Sequence, residues 1–142
     1  MMRLITITPE EIILTNRIQN DCPYWRLLEH ILQADIEPPP LIVFPAYYGK
    51  RRVFVVLDGN HRACKCAQHH KTIKAWVMRV DSDRDEILQL ELEGRLPPFP
   101  HRDFLAEEKS LRELKQEAMQ AAKRINCTIK QVLRLLDEAD KE

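Results

Sequence analysis

The sequence predicts an α/β protein with a helical C-terminal end, and three observations predict it. Two β-rich apolar runs, Leu41 to Tyr47 and Arg52 to Leu57, stand on either side of the short loop Tyr48-Gly49-Lys50-Arg51. A stretch with helical spacing follows the second run at once, and a further strand-like run, Ile73 to Val80, follows that. From Ser110 onward the apolar residues keep a helical period. The chain has 142 residues, 44% of them apolar, enough for one core with a short appendage. Residues 1–96 read as one domain and 101–142 as a helical extension.

Taken in order, Arg3 to Ile7 suits a short strand. Thr8-Pro9-Glu10-Glu11 is a capping box with proline at the first helical position, and predicts a helix ending near Asn20. Asp21-Cys22-Pro23 opens a second helix, with Trp25, Leu28, Ile31 and Leu32 on one face. Pro38-Pro39-Pro40 ends helical structure and fixes an extended approach to the first β-rich run.

Val53 to Leu57 are five apolar residues in succession, which predicts a strand buried on both faces in the middle of a sheet. Asp58-Gly59 breaks that strand, and a helix should run from Asn60 to about His70. Asp83 with Glu86 reads as a capping pair opening a helix to about Glu93. Gly94 and Pro97-Pro98-Phe99-Pro100 end it and look like a linker.

Beyond the linker, Ser110 with Glu113 and Thr128 with Gln131 form two capping boxes. Leu111, Leu114, Ala118, Ala121 and Ile125 make one apolar stripe, and Ile129, Val132, Leu133 and Leu136 a second. Helices this short are marginal alone, so the stripes should pack on each other and then on the first domain or on a second copy. Residues 101–142 carry nine basic and nine acidic groups, which suits a packing or dimerising element better than a helix-turn-helix DNA reader.

The formal net charge is zero, so the molecule as a whole has no bias toward nucleic acid or membrane. Its distribution is uneven. Residues 1–49 carry net −3, residues 50–79 net +7 with Asp58 their one acid, and residues 81–93 net −5. The four cysteines, Cys22, Cys64, Cys66 and Cys127, follow no disulfide or zinc spacing, and reduced thiols in a cytoplasmic protein are expected. No signal-like or membrane-spanning apolar run occurs. His61, His69 and His70 lack a carboxylate or cysteine at tight spacing, so no metal site is expected from them. Tyr47, Tyr48 and Lys50-Arg51-Arg52 suit either a charged hairpin tip or contacts to a nucleotide base or nucleic-acid backbone.

The residues that carry chemistry lie at the break, Asp58-Gly59-Asn60-His61-Arg62. Gly59 can adopt the positive φ of a tight strand-to-helix turn. The first N–H groups of the following helix have no partner within it, and the helix dipole favours an anion there. His61 and Arg62 add side-chain donors, and arginine suits two-pronged phosphate contacts. Together these make an anion pocket at the end of a strand. The same residues also suit an ordinary turn with Asn60 as helix cap and His61 and Arg62 at the surface.

The stretch Val55-Val56-Leu57-Asp58-Gly59-Asn60-His61-Arg62-Ala63, with Pro40 to Val43 before it and Ile73 to Val77 after it, resembles the N-terminal domain of the ParB and sulfiredoxin superfamily. The resemblance spans residues 1–80 or so and implies a small mixed sheet flanked by helices, with nucleotide phosphates bound at the turn. Members include CTP-hydrolysing partition proteins, ATP-using sulfinic-acid reductases and free-serine kinases, and the turn here is most similar to the last. By that resemblance Gly59, Asn60, His61 and Arg62 hold ATP or CTP with Mg2+, and Asp58 and His61 are candidates for catalysis of phosphate transfer or hydrolysis. The reductases carry a catalytic cysteine where this chain has Asn60, so sulfinic-acid reduction is not implied, and Cys64 lies too deep in the helix to replace it. The kinases have histidine at that position and use an N-terminal glutamate, for which Glu10, Glu11 and Glu37 are the candidates. Partition proteins have a longer arginine-rich motif and a larger DNA-binding region. The rival expectation is a non-catalytic module of this fold that binds DNA or protein.

Overall fold

The computed structural model describes residues 2–16, 18, 22–95, 110–125, 128–131 and 133–134, with Tyr48 described by its main chain alone. A mixed five-stranded sheet carries helices on both faces, the α/β arrangement expected. The elements are β1 (Arg3–Ile7), a 3-10 turn (Pro9–Glu11), β2 (Ile12–Ile13), α1 (Pro23–Gln33), β3 (Leu41–Tyr48), β4 (Arg51–Asp58), α2 (Asn60–Gln68), β5 (Ile73–Val77), α3 (Ser82–Leu92) and α4 (Leu111–Ile125). The strand order is β1-β5-β3-β4-β2. β3 pairs antiparallel with β4 and parallel with β5, β1 pairs antiparallel with β5, and β2 pairs parallel with β4.

Successive side chains along a strand point to opposite faces, and this divides the core in two. Leu41, Val43, Phe54, Val56, Ala75 and Val77 face α1 and α2, where Trp25, Leu32, Ala63, Cys64 and Ala67 meet them. Ile42, Phe44, Val53 and Val55 face the other way, onto Ile87 and Leu90 of α3 and Leu111, Leu114 and Ala118 of α4. The helical extension therefore supplies much of one core face. Ile129 and Leu133, from the second stripe, join the opposite core instead, so the two stripes pack on different faces of the sheet rather than on each other. Val132 and Leu136 lie outside the described residues, as do the predicted linker prolines and Cys127.

Several local expectations are corrected. The capping box at Thr8 forms, with the Glu11 carboxylate accepting from the Thr8 N–H at 3.0 Å, but it starts a single 3-10 turn and no helix. The β-branched pair Ile12-Ile13 instead extends along β4, opposite Phe54 and Val55. With only that two-residue strand outside it, β4 lies next to the sheet's edge and not in its middle. Val53 to Val56 are nonetheless buried on both faces, because helices cover each side.

β5 ends at Val77 rather than Val80. The turn after it is shaped by Asp83, whose Oδ2 accepts from the N–H groups of Arg79 (2.7 Å) and Val80 (3.1 Å). Asp83 thus lies inside α3, with Asp81 at the N-cap position, and Glu86 accepts from the Met2 N–H at 2.8 Å. The Asp83–Glu86 capping pair does not form, since both carboxylates are turned to main chain outside the helix. The box at Thr128 forms, with the Thr128 N–H donating to Gln131 Oε1 (2.7 Å) and the Gln131 N–H to Thr128 Oγ1 (3.2 Å), and at Ser110 the hydroxyl caps the helix by accepting from the Glu113 N–H (3.2 Å).

Leu114 is 2% exposed and sits where α4 meets the sheet. Its truncation to alanine removes a buried isobutyl group, which costs about 3 kcal/mol. Urea unfolding of Leu114→Ala should show a clearly lower midpoint with an unchanged slope. An unchanged midpoint would mean that α4 is not anchored to the sheet in solution.

Candidate functional site

β4 ends at Asp58, Gly59 turns the chain at φ +110°, and α2 starts at Asn60. A Cβ at Gly59 would collide with the Leu41 side chain and come within 3.0 Å of Arg62 Nη2, so glycine is required twice over, by φ and by space. The first main-chain bond of α2 runs from the Ala63 N–H to the Gly59 C=O at 2.9 Å. The N–H groups of Asn60, His61 and Arg62 precede it, at the positive end of the helix dipole.

The side chains of the turn diverge. Asn60 Oδ1 accepts from the Thr15 N–H at 2.9 Å, and its Nδ2 donates to Thr15 Oγ1 at 3.2 Å. The Thr15 hydroxyl in turn donates to the Val56 C=O at 2.6 Å. Asn60 therefore fastens the segment after β2 to the end of β4. Arg62 points inward and is 4% exposed. Its Nη1 donates to the Tyr24 hydroxyl at 3.1 Å, and its Nη2 to the Pro40 C=O at 3.0 Å and to Asp58 Oδ2 at 3.3 Å. Its Nε is buried without a hydrogen-bond partner. Arg62→Ala would thus strand Asp58 and Pro40 as well as remove a donor, a structural cost that the sequence alone did not suggest.

His61 is half-buried, edge-on to the rings of Tyr24 and Trp25 with centroids 6.2 Å away in each case. Burial, and then the charge of Arg62, hold its imidazole below the usual value, which leaves it neutral at pH 7. A cavity of about 170 Å³ abuts the turn on the other side. Asn60 lines it from the turn, Thr15 and Asn16 from the segment after β2, and Glu117, Ala118 and Ala121 from α4. Of the four residues expected to hold a ligand, Asn60 alone lines this cavity, while His61 and Arg62 face α1.

None of the candidate glutamates lines that cavity. Glu11 caps the 3-10 turn, Glu37 pairs with Lys74 at 3.1 Å, and Glu10 lies beside a different cavity. Glu117, Thr15 and Tyr24 were missed. Glu117 belongs to an amphipathic helix whose charges read as solvated, and Thr15 fell inside a helix that does not form. A further cluster joins α1 to α2: buried Lys65 meets Glu29 at 2.5 Å and lies over the Trp25 ring, with His69 on the same carboxylate at 2.8 Å. The hydrogen bond from Lys65 holds the Glu29 carboxyl below its usual range.

At the hairpin tip Tyr47 is exposed, Arg51 donates to the Glu10 C=O, and Arg52 lies over Phe54. Arg62 and Lys65 are internal, so the basic segment does not form one surface patch. Cys64 and Cys66 are buried, and burial pushes the Cys66 thiol up to about 11. No helix among the described residues is long and apolar enough to cross a membrane. Searches against protein-family models, curated proteins and solved structures returned no match.

Two expectations follow for the turn. Gly59→Ala should destabilise the protein by more than about 1 kcal/mol, and an unchanged thermal midpoint would show that the turn relaxes freely. His61 has a folded-state value below its unfolded one, so the unfolded chain takes up the proton first. Its contribution to stability is full above about pH 6.5 and is lost as pH falls through the folded value. His61→Phe should therefore flatten the fall in stability between pH 7 and 5, and parallel pH profiles for variant and parent would contradict this.

Proposed function

We propose that this protein is a ParB/sulfiredoxin-like nucleotide-binding protein that takes ATP or CTP, with Mg2+, by its phosphates at the N-terminus of α2. The observation that carries the reading is the Gly59 turn: a glycine at φ +110° with no room for a Cβ, opening a helix beside a buried guanidinium whose Nε has no partner. A helix start whose first N–H groups precede its first main-chain bond and an unshared buried cationic donor both fit an anion. The N–H groups of Asn60 and His61 would bind phosphate oxygens. Arg62 would act from behind, as an anchored charge and not as a mobile clamp. The cavity has room for a phosphoryl group, and a nucleoside would lie outside it. Among the described residues no three His, Cys, Asp or Glu side chains gather around a metal position, so Mg2+ would arrive bound to the phosphates.

In a phosphotransferase or hydrolase the turn would stabilise charge developing on the transferred phosphoryl group. Asp58, engaged by Arg62, then serves as an anchor, and Glu117 is the carboxylate that lines the cavity. The second reading, a non-catalytic module binding DNA or protein, is favoured by one observation. Asn60, Arg62 and Asp58 all spend hydrogen bonds on the protein itself. Cys22, Cys64 and Cys66, all reduced, fit a cytoplasmic setting.

Titration calorimetry with ATP and CTP in the presence of Mg2+ tests binding, and release of labelled phosphate with and without serine tests turnover. The phosphate contacts are main-chain N–H groups and the His61 ring faces α1, so His61→Ala should leave nucleotide affinity within about twofold of the parent. No binding of either nucleotide overturns the reading. Binding without turnover under any acceptor selects the non-catalytic form.

A further inference from the structure

A second, larger cavity of about 1060 Å³ lies at the other end of α2, where the sheet's β2 edge meets the residues after Thr128. It is distinct from the turn, because α2 has nine residues and separates the two by about 13 Å. The cavity exists because β2 has only two residues and the facing elements present small side chains, Ala67 from α2 and Ala122 from α4. Its floor is apolar: Ile12, Val53, Ala67 and Ile129 are each under a tenth exposed, and Leu133 adds to them. Its rim carries Arg51, Lys71 and Lys130 against the single acid Glu10, a surplus of two positive charges, with His70 beside them.

We propose that this cavity binds a small amphiphile with an apolar body and one anionic head group, carboxylate or phosphate. Protein interiors pack closely, and apolar walls around a void forgo contacts that a ligand's apolar body restores. The volume is that of a site for a drug-sized molecule. Charge selects the head group. Arg51 already donates to the Glu10 C=O and Lys71 reaches Asp35 at 3.3 Å, which fixes both near the rim, and Lys130 is near enough to Glu10 to lower its carboxyl, as is Arg51. A cationic head would meet that surplus unfavourably, and a neutral one would gain nothing from it. The inference is independent of nucleotide binding.

The test uses the full chain and four ten-carbon probes: decanoate, decyl phosphate, decanol and decyltrimethylammonium, each kept below micelle formation. Titration calorimetry should show saturable one-site binding of decanoate or decyl phosphate, with decanol weaker and decyltrimethylammonium not bound. Lys130→Glu, an exposed change that the fold tolerates, should weaken the anionic probes roughly fivefold and leave decanol unchanged. Ala122→Phe should fill the floor and abolish binding of all probes. If circular dichroism shows that Ala122→Phe is unfolded, Lys130→Glu decides alone. Equal binding of all four probes, no saturable binding, or no effect of Lys130→Glu on the anions overturns the proposal.

Discussion

The guanidinium of Arg62 ties the β4–α2 turn to two parts of the chain remote from it in sequence. It touches the Pro40 C=O before β3, the Asp58 carboxylate at the end of β4 and the Tyr24 hydroxyl on α1, from a backbone position on α2. A buried charge without partners is strongly unfavourable, so these contacts depend on one another. Lysine could not replace it, since one ammonium group cannot present donors to three separated acceptors in a plane. The shape of the turn follows from the same group. Its Nη2 comes within 3.0 Å of where a Cβ at residue 59 would lie, and the Leu41 side chain comes closer still, which leaves glycine as the residue that fits.

The acidic segment after β5 acts in a comparable way on main-chain groups. Asp81 accepts from the Leu111 N–H at 2.8 Å and seats the start of α4. Asp83 closes the turn leaving β5, and Glu86 holds the chain just before β1. These three carboxylates are committed to N–H donors at strand and helix ends, where a negative charge is favourable. A dense run of acids that resembles a solvated face in sequence is, in part, the set of fasteners for both ends of the described chain.

Where the sequence was legible, a short-range rule decided the outcome. The β3–β4 hairpin, the glycine turn and α2 follow from apolar runs and a break, and each forms within two residues of its expected bounds. The Ser110 cap and the capping box at Thr128 are equally local. What was not legible depends on partners remote in sequence. Thr8 to Glu11 has a helix-start signal, yet pairing of Ile12 and Ile13 with β4 prevails over it. The inward direction of Arg62 is set by Pro40 and Tyr24, 22 and 38 residues away. Glu117 lines the cavity beside the turn because Leu114 and Ala118 bury beneath it on the sheet, and no local pattern encodes that.

β1 makes its ladder with β5, Arg3 opposite Val77 and Ile7 opposite Ile73. During synthesis the first strand therefore has no partner until about 75 further residues have been made, whereas β3 and β4 can zip through a two-residue turn as soon as they emerge. The hairpin can form early, and β5 must align beside β3 before the edge strand can dock. Until then, apolar Leu4, Ile5 and Ile7 and an unpaired backbone edge are open to other chains. The order of the strands in the sheet thus leaves β1 open to other chains from its own synthesis until β5 has been made.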